Sequence, residues 1–163
     1  MSNEIEFFLS SIESNQGIIY KVANSYCNDV DDREDLIQEI ILQLWRAYPS
    51  YNPAYKLSTW MYRIALNVAI SAYRKESKRT QLIRPLSETA IYLDEDKSEA
   101  KDNRDLLQAL IRELKEVDRA LILLYLDGYS YPEIGEMIGL SESNVATKLS
   151  RIKQQLKKKF TAH

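Results

Sequence analysis

DLIQEIILQLWRAYPSYNPAYKLSTWMYRIALNVAISAYRKESKR, residues 35–79, is the stretch that decides the fold. In its first part, apolar residues recur at the spacing of one face of an α-helix, at Leu36, Ile37, Ile40, Ile41, Leu44, Trp45 and Tyr48. Pro49 and Pro53 then forbid a continuous helix. A second helical pattern begins at Leu57, and its packed face is predicted to comprise Leu57, Trp60, Met61, Ile64, Ala65, Val68 and Ala69. The stretch therefore predicts two helices joined by a loop.

The two predicted helices leave different side chains outside their apolar stripes. Asp35, Gln38 and Glu39 lie on the polar side of the first helix. The second helix and the loop interleave rings (Tyr51, Tyr55, Trp60, Tyr62 and Tyr73) with cations (Lys56, Arg63, Arg74 and Lys75). Unpaired bases stack on aromatic rings while cations hold the backbone phosphates, so this pattern favours single-stranded nucleic acid. Trp60 also lies on the apolar stripe, and a place in the core is an equal alternative for it.

Composition excludes several classes of function. The single histidine, His163, and the single cysteine, Cys27, cannot form a triad, a disulfide or a cysteine-built metal site, so we expect no enzyme, cofactor or metal. No apolar run has the length of a membrane span and the first residues are acidic, which predicts a cytoplasmic protein. The net charge of −2 hides a segregation between acidic residues 29–39 and basic residues 148–159.

The middle of the chain predicts a linker. Residues 76–105 contain Pro85, dense mixed charge and no sustained apolar period. We therefore predict an all-α protein of two small helical domains, residues 1–77 and 105–163, joined by a flexible linker at residues 78–104.

A helix-turn-helix is predicted near the C-terminus. Ser130 can cap a short helix, with Glu133 completing a capping box and Pro132 tolerated in the first turn. Gly139 ends that helix, and Ser141 caps the next one. The small residue at Gly135 would let the two helices approach closely, as in DNA-binding helix-turn-helix motifs.

The second helix of this motif carries candidate DNA-reading side chains. Side chains able to read bases in the major groove are Ser143, Asn144, Ala146, Thr147, Lys148, Ser150 and Arg151. Lys153 and Lys157 are better placed to hold phosphates, which adds affinity without sequence information. A basic, solvated face on a structural bundle is the plainer alternative.

The run DLIQEIILQLW, the aromatic loop and STWMYRIALNVAISAYRK together resemble the second conserved region of bacterial sigma-70-family initiation factors. The helix-turn-helix is similar to the other domain of their short extracytoplasmic-function (ECF) group. The resemblance implies promoter recognition and opening, with core RNA polymerase, duplex promoter DNA, the melted non-template strand and an anti-sigma factor as partners. Ser71 stands where many members carry an acid.

The resemblance also implies roles for particular residues. It assigns core polymerase binding to Asp35, Leu36, Gln38, Glu39 and Gln43. It assigns the downstream promoter element and the melted strand to Tyr51, Asn52, Lys56, Ser58, Thr59, Trp60, Arg63, Asn67, Tyr73, Arg74 and Lys75. In this family the loop before the tryptophan helix captures a base flipped from the strand. Two other functions fit parts of the pattern: a polymerase-independent regulator that binds duplex DNA, and a helical adaptor that binds protein only.

Overall fold

The computed structural model describes residues 2–83 and 99–162, and all regular structure in these ranges is helical. The elements are α1 (Ser2–Ser14), α2 (Gln16–Tyr26), α3 (Val30–Ala47), a 3₁₀ turn (Tyr48–Ser50), α4 (Leu57–Ile83), α5 (Glu99–Arg112), α6 (Glu116–Leu126), α7 (Tyr131–Ile138) and α8 (Glu142–Thr161). The prediction of an all-α fold is confirmed.

The chain divides into two compact units, Met1–Lys75 and Glu76–His163. Helix extends into both ends of the predicted linker, since α4 continues to Ile83 and α5 already begins at Glu99. Residues 76–83 contain neither glycine nor proline, and the next proline is Pro85, so the sequence permits α4 to continue past the predicted domain limit. Residues 84–98, the rest of that linker, lie outside the described residues, and the domain limits stay a prediction.

In the first unit the apolar stripes meet in one core. Helix α2 packs against α3, and the buried side chains on α2, α3 and α4 include Ile19, Val22, Leu36, Ile40, Leu44, Met61, Leu66 and Ala69. The carboxylate of Asp29 caps α3 by accepting a hydrogen bond from the Asp31 N–H at 3.4 Å. With Asp31 and Asp32 in the first turn, negative charge lies at the positive end of the helix dipole.

A group of rings joins α1, α3, the loop and α4, and we call it the aromatic cluster (Phe8, Trp45, Tyr48, Tyr51 and Trp60). The ring of Phe8 meets Trp45 edge-on at 5.0 Å and Tyr48 at 5.5 Å between centroids. Trp60 lies 6.5 Å from Tyr48 and 5.0 Å from Tyr51. Edge-to-face pairs at these separations stabilise beyond the burial of their area. The cluster therefore holds the loop against the helices on both sides of it.

In the second unit, α8 packs against α5, α6 and α7. The buried guanidinium of Arg119, which is 6% exposed, donates to the backbone carbonyl of Leu114 at 2.8 Å and to that of Arg112. It thereby satisfies one carbonyl group at the C-terminal end of α5 and one in the turn that follows it. No apolar period or capping pattern marks this arginine, because its partners are backbone carbonyls five and seven residues earlier, in and after the end of α5.

The predicted helix-turn-helix is confirmed in α7 and α8. The Ser130–Glu133 capping box is present, Gly139 adopts a left-handed φ of 84°, and the hydroxyl of Ser141 caps α8. Gly135 is buried, and a Cβ placed on it would lie 2.5 Å from the carbonyl oxygen of Leu140. Only a residue without a side chain permits this approach of the turn to α7.

We expect Gly135→Ala to destabilise the second unit by about 2 kcal/mol, because overpacking against backbone has no flexible neighbour to relieve it. A loss of that size lowers the midpoint of thermal unfolding, followed by circular dichroism, by on the order of 10 °C. Gly17→Ala is the matched control, since a Cβ there meets nothing within 4 Å and alanine favours a helix. Equal melting of the two variants would contradict the close approach at Gly135.

Candidate nucleic-acid interface

Helix α3 presents an exposed acidic face to solvent. Asp35, Gln38 and Glu39 are exposed, Gln43 is half-buried, and the Gln43 amide donates to the Glu39 carboxylate at 2.9 Å. The resemblance also assigned Leu36 to polymerase binding, but its side chain is 5% exposed and lies in the core, as its place on the apolar stripe predicted. Leu36 follows the apolar period of α3 and packs in the core on the side of the helix away from this face.

Two apolar side chains lie on the same outer side of α3. Leu42 and Trp45 are each 41% exposed, and they follow Gln38 at intervals of four and three residues. Carboxylates next to exposed apolar surface suit a protein partner, because they would repel phosphate. Sequence reasoning missed Leu42, although its position off the apolar stripe was a usable signal.

The loop between the 3₁₀ turn and α4, residues 51–56, is closed by its own hydrogen bonds, and we call it the tyrosine loop. The Tyr55 N–H donates to the Asn52 carbonyl at 3.0 Å, and the Ala54 N–H donates to the Asn52 side-chain oxygen at 3.0 Å. The Tyr51 hydroxyl donates to the Tyr55 carbonyl at 2.7 Å. With Pro53 at the second position of the turn, the loop is ordered without any ligand.

The predicted stacking rings differ greatly in exposure. Tyr62 is 2% exposed and lies in the core, so its candidacy for base contact was wrong. Tyr51 and Trp60 are half-buried in the aromatic cluster, and Tyr73 is half-buried with its ring 6.4 Å from Tyr26. Tyr55, by contrast, is 59% exposed. The loop thus rests on supporting rings and turns one tyrosine outward.

Polar groups from the loop and α4 extend this surface. Asn52 and Lys56 are exposed, whereas Ser58 and Thr59, in the first turn of α4, are half-buried. Further along α4, the exposed predicted residues are Arg63, Asn67, Arg74 and Lys75. Arg63, Asn67, Ser71 and Arg74 recur at helical spacing and share one face. Ser71 adds no negative charge between the two arginines, so this face stays compatible with phosphate.

On α8, the predicted base-reading residues lie near the N-terminal end. Ser143, Asn144, Thr147, Ser150 and Arg151 are exposed, and Ala146 and Lys148 are half-buried. Val145, Leu149 and Ile152 face the core. The Thr147 hydroxyl donates to the Ser143 carbonyl at 2.9 Å, which leaves its methyl group for apolar contact. The helix therefore presents a polar outer side in the way that a major-groove reader requires.

The two predicted phosphate contacts have different surroundings. Lys157 is exposed, whereas Lys153 is half-buried beside two tyrosines. The Lys153 ammonium donates to the Tyr131 hydroxyl at 3.1 Å and lies 4.0 Å from the centre of the Tyr125 ring. These phenols, that of Tyr125 first, raise the pKa of Lys153. The ammonium therefore ties α8 to α6 and α7, a contact that sequence reasoning missed because the partners are 22 and 28 residues away.

Two other properties of the described residues bear on function. In residues 2–83 and 99–162, no group of three or more histidine, cysteine, aspartate or glutamate side chains is arranged to hold a metal ion. None of the helices in these ranges is long and apolar enough to cross a membrane.

Comparisons with known proteins match both parts of the chain to one family. The family model for sigma-70 region 2 matches residues 11–79, and the model for sigma-70 region 4 matches residues 104–156. The ECF RNA polymerase sigma factor SigM of Bacillus subtilis is 30% identical over 144 residues, which cover 85% of this chain and 86% of the relative. SigW of the same organism is 29% identical over 154 residues, with 87% and 82% covered.

A solved structure has the same fold. The sigma factor RpoE from Bartonella quintana, solved in complex with the anti-sigma factor NepR, matches with a TM-score of 0.71 at 20% identity, over 97% of this chain and 96% of that chain.

The contrast between the two lysines predicts different effects of the same substitution. Lys153→Met should lower the midpoint of thermal unfolding, because it removes the hydrogen bond to Tyr131 and the cation over Tyr125. Lys157→Met should leave the midpoint unchanged. Because the pKa of Lys153 is raised in the folded state, its contribution is complete below the ordinary value of 10.5 and is lost as the pH rises through the raised pKa. Equal midpoints for the two variants at pH 7 would contradict a structural role for Lys153.

Proposed function

As a member of the extracytoplasmic-function group of the sigma-70 family, the chain is a sigma factor that binds RNA polymerase for promoter recognition, and we propose that three separate surfaces of the chain share this work. The observation that carries the proposal is the order of features along one chain. An exposed acidic helix is followed directly by a preformed aromatic loop, a basic helix and then a helix-turn-helix.

We assign binding of core polymerase to the acidic face of α3, formed by Asp35, Gln38, Glu39 and Gln43. Its exposed carboxylates would give orientation and specificity through complementary charge on the partner. The neighbouring Leu42 and Trp45 add apolar area of the kind that contributes most to affinity in protein interfaces. Leu36 supports this face from the core.

We assign the downstream promoter element and the melted non-template strand to the tyrosine loop and the exposed side of α4. Extracting a base from a duplex costs a few kcal/mol, so the receiving surface must offset that cost. Arg63 and Arg74 would hold the strand's phosphates, and the loop would hold an unpaired base. Tyr51 and Trp60 would act mainly by supporting the loop, because both are half-buried in the aromatic cluster.

We assign the upstream promoter element to α8. Asn144, Lys148 and Arg151 would read base edges in the major groove, together with Ser143, Ala146, Thr147 and Ser150. Lys157 would hold a phosphate and add affinity at every sequence. Lys153 would act mainly by fixing α8 to α6 and α7, and the position of the recognition helix depends on that contact.

Several further properties follow from membership in this family. Its members are regulators, and we propose that this chain has no catalytic residues of its own, because phosphodiester chemistry belongs to the polymerase. We also propose that it works in the cytoplasm, where promoters and polymerase are found. Since the similar RpoE was solved with an anti-sigma factor, we propose an anti-sigma partner that covers one of these surfaces.

Charge reversal tests the polymerase face. Asp35→Lys combined with Glu39→Lys should weaken binding to purified core RNA polymerase at least about tenfold, because like charges would then oppose each other across the interface. Titration of fluorescently labelled protein with core enzyme measures the dissociation constant.

Glu6→Lys combined with Glu13→Lys is the control for charge alone, since it changes the net charge by the same four units and both residues are exposed on α1, outside the three proposed surfaces. An unchanged dissociation constant for the α3 variant would overturn the assignment of this face. Promoter-dependent transcription at the wild-type level by the α3 variant would overturn the assignment as well.

Two substitutions on α8 separate sequence reading from phosphate contact. Lys157→Ala should weaken promoter binding by holoenzyme at all sequences and reduce the slope of log affinity against log salt by about 1. Asn144→Ala should keep the salt slope and lose about 1–3 kcal/mol of discrimination at one base pair. Binding to wild-type and singly substituted promoter fragments across a salt series distinguishes the two. A changed slope for Asn144→Ala would contradict its role in base reading.

A further inference from the structure

Helix α8 carries an inference about the chemical group that it reads, and this inference rests on the proposed contact of α8 with the upstream promoter element. We propose that Thr147 is a specificity-determining residue whose methyl group packs against the C5-methyl group of one thymine in the major groove. The base pair that faces Thr147 would then be T·A in one orientation, because the thymine methyl group lies on one side of the pair only.

Thr147 lies at the centre of the outward side of α8. Val145 and Leu149, two residues before and after it, are fully buried. Because two residues turn an α-helix by about 200°, the side chain of Thr147 points away from the core. Thr147 is exposed, and the exposed residues Asn144 and Arg151 lie one turn before and one turn after it on the same side. A base edge that approaches the helix between these two side chains meets Thr147.

The hydroxyl group of Thr147 is already bonded within the helix. Its oxygen lies 2.9 Å from the backbone carbonyl oxygen of Ser143, one turn earlier. A carbonyl oxygen can only accept, so the hydroxyl must donate its hydrogen to it. This bond also selects the rotamer of the side chain, since it requires Oγ1 to lie against the preceding turn. Thr147 therefore brings a methyl group and no free hydrogen-bond donor to the groove.

The bond to Ser143 lowers the cost of removing water from Thr147. A hydroxyl that lost its water and found no new partner would become a buried, unsatisfied donor, which opposes binding. The Thr147 hydroxyl keeps its partner when water leaves, because that partner belongs to the same helix. The C5-methyl group is the apolar group that distinguishes thymine in the major groove. It is therefore the base substituent that the outward side of Thr147 matches.

The neighbouring residues proposed to read bases do not offer the same group. Ser143 and Ser150 are exposed but have no methyl group. The side chain of Ala146 is a single methyl group, but Ala146 is half-buried and lies about 100° around the helix from Thr147. Among these described residues of α8, Thr147 is the exposed one that carries a methyl group. The inference can therefore be tested at a single side chain.

The test removes one methyl group from each partner in turn. Holoenzyme, reconstituted from core RNA polymerase and the full chain, first selects its tightest duplex from a promoter library that is randomised upstream of the melted region. In copies of that duplex, each thymine of the upstream element is replaced singly by deoxyuridine, which lacks only the C5-methyl group. With the wild-type chain, deoxyuridine at one position should weaken binding about fourfold, the effect of one buried methyl group.

Two substitutions separate the two groups of the Thr147 side chain. Thr147→Ser keeps the hydroxyl and its bond to Ser143 but removes the methyl group, so it should weaken binding to the thymine duplex about fourfold and abolish the effect of deoxyuridine. Thr147→Val keeps the methyl group and should retain that effect. Serine, threonine and valine have similar helix propensities, so neither variant should change the stability of α8. Lys157→Ala is the control for weaker binding in general, and it should retain the fourfold effect of deoxyuridine.

The outcomes are distinguishable. If deoxyuridine weakens wild-type binding at no position, or if its effect persists undiminished in Thr147→Ser, the inference about Thr147 is overturned. If Thr147→Val weakens binding and Thr147→Ser does not, the hydroxyl oxygen accepts from a base amino group, and the inference is wrong. If wild-type holoenzyme forms but prefers no duplex in the library, the proposed role of α8 itself fails, whatever Thr147 does.

Discussion

The packing of Phe8, Trp45, Tyr48, Tyr51 and Trp60 is the interaction on which the rest of the first unit depends. These rings join α1, the end of α3, the tyrosine loop and the start of α4 within centroid separations of 5.0–6.5 Å. One end of the same α3 helix carries the acidic face. The cluster therefore fixes the spacing between the surface proposed for polymerase and the loop proposed for the melted strand, so that binding one partner positions the other.

In the second unit, different kinds of contact hold the helices in place. Gly135 allows the turn to lie against α7, Arg119 satisfies carbonyls at the end of α5, and Lys153 joins α8 to two tyrosines. Two of these contacts depend on a charged side chain and one on the absence of a side chain, whereas the first unit depends on ring-to-ring packing. The consequence is that α8 is held on several sides, with its outer residues exposed for the proposed contact with DNA.

Local rules predicted what depends on neighbours in sequence, and they could not predict what depends on distant partners. The capping box at Ser130, the left-handed Gly139 and the cap at Ser141 follow from residue type and spacing alone. The apolar period placed Leu36 in the core, although the family motif had suggested a contact residue. The difference between exposed Tyr55 and buried Tyr62, and the partners of Lys153, arise from tertiary packing that no local pattern encodes.

The order already present in the tyrosine loop decides whether the proposed capture of a base is energetically feasible. Fixing the backbone of one residue costs roughly 1–2 kcal/mol, so ordering residues 51–56 on binding would cost on the order of 10 kcal/mol. Stacking contributes only about 1–3 kcal/mol per base, and unpairing a base costs a few more. A loop that ordered on contact would therefore oppose melting. The hydrogen bonds of Asn52 to Ala54 and of Tyr51 to Tyr55 form when the protein folds. The entropy cost of ordering the loop therefore arises during folding, where the packing of the aromatic cluster offsets it before DNA is bound.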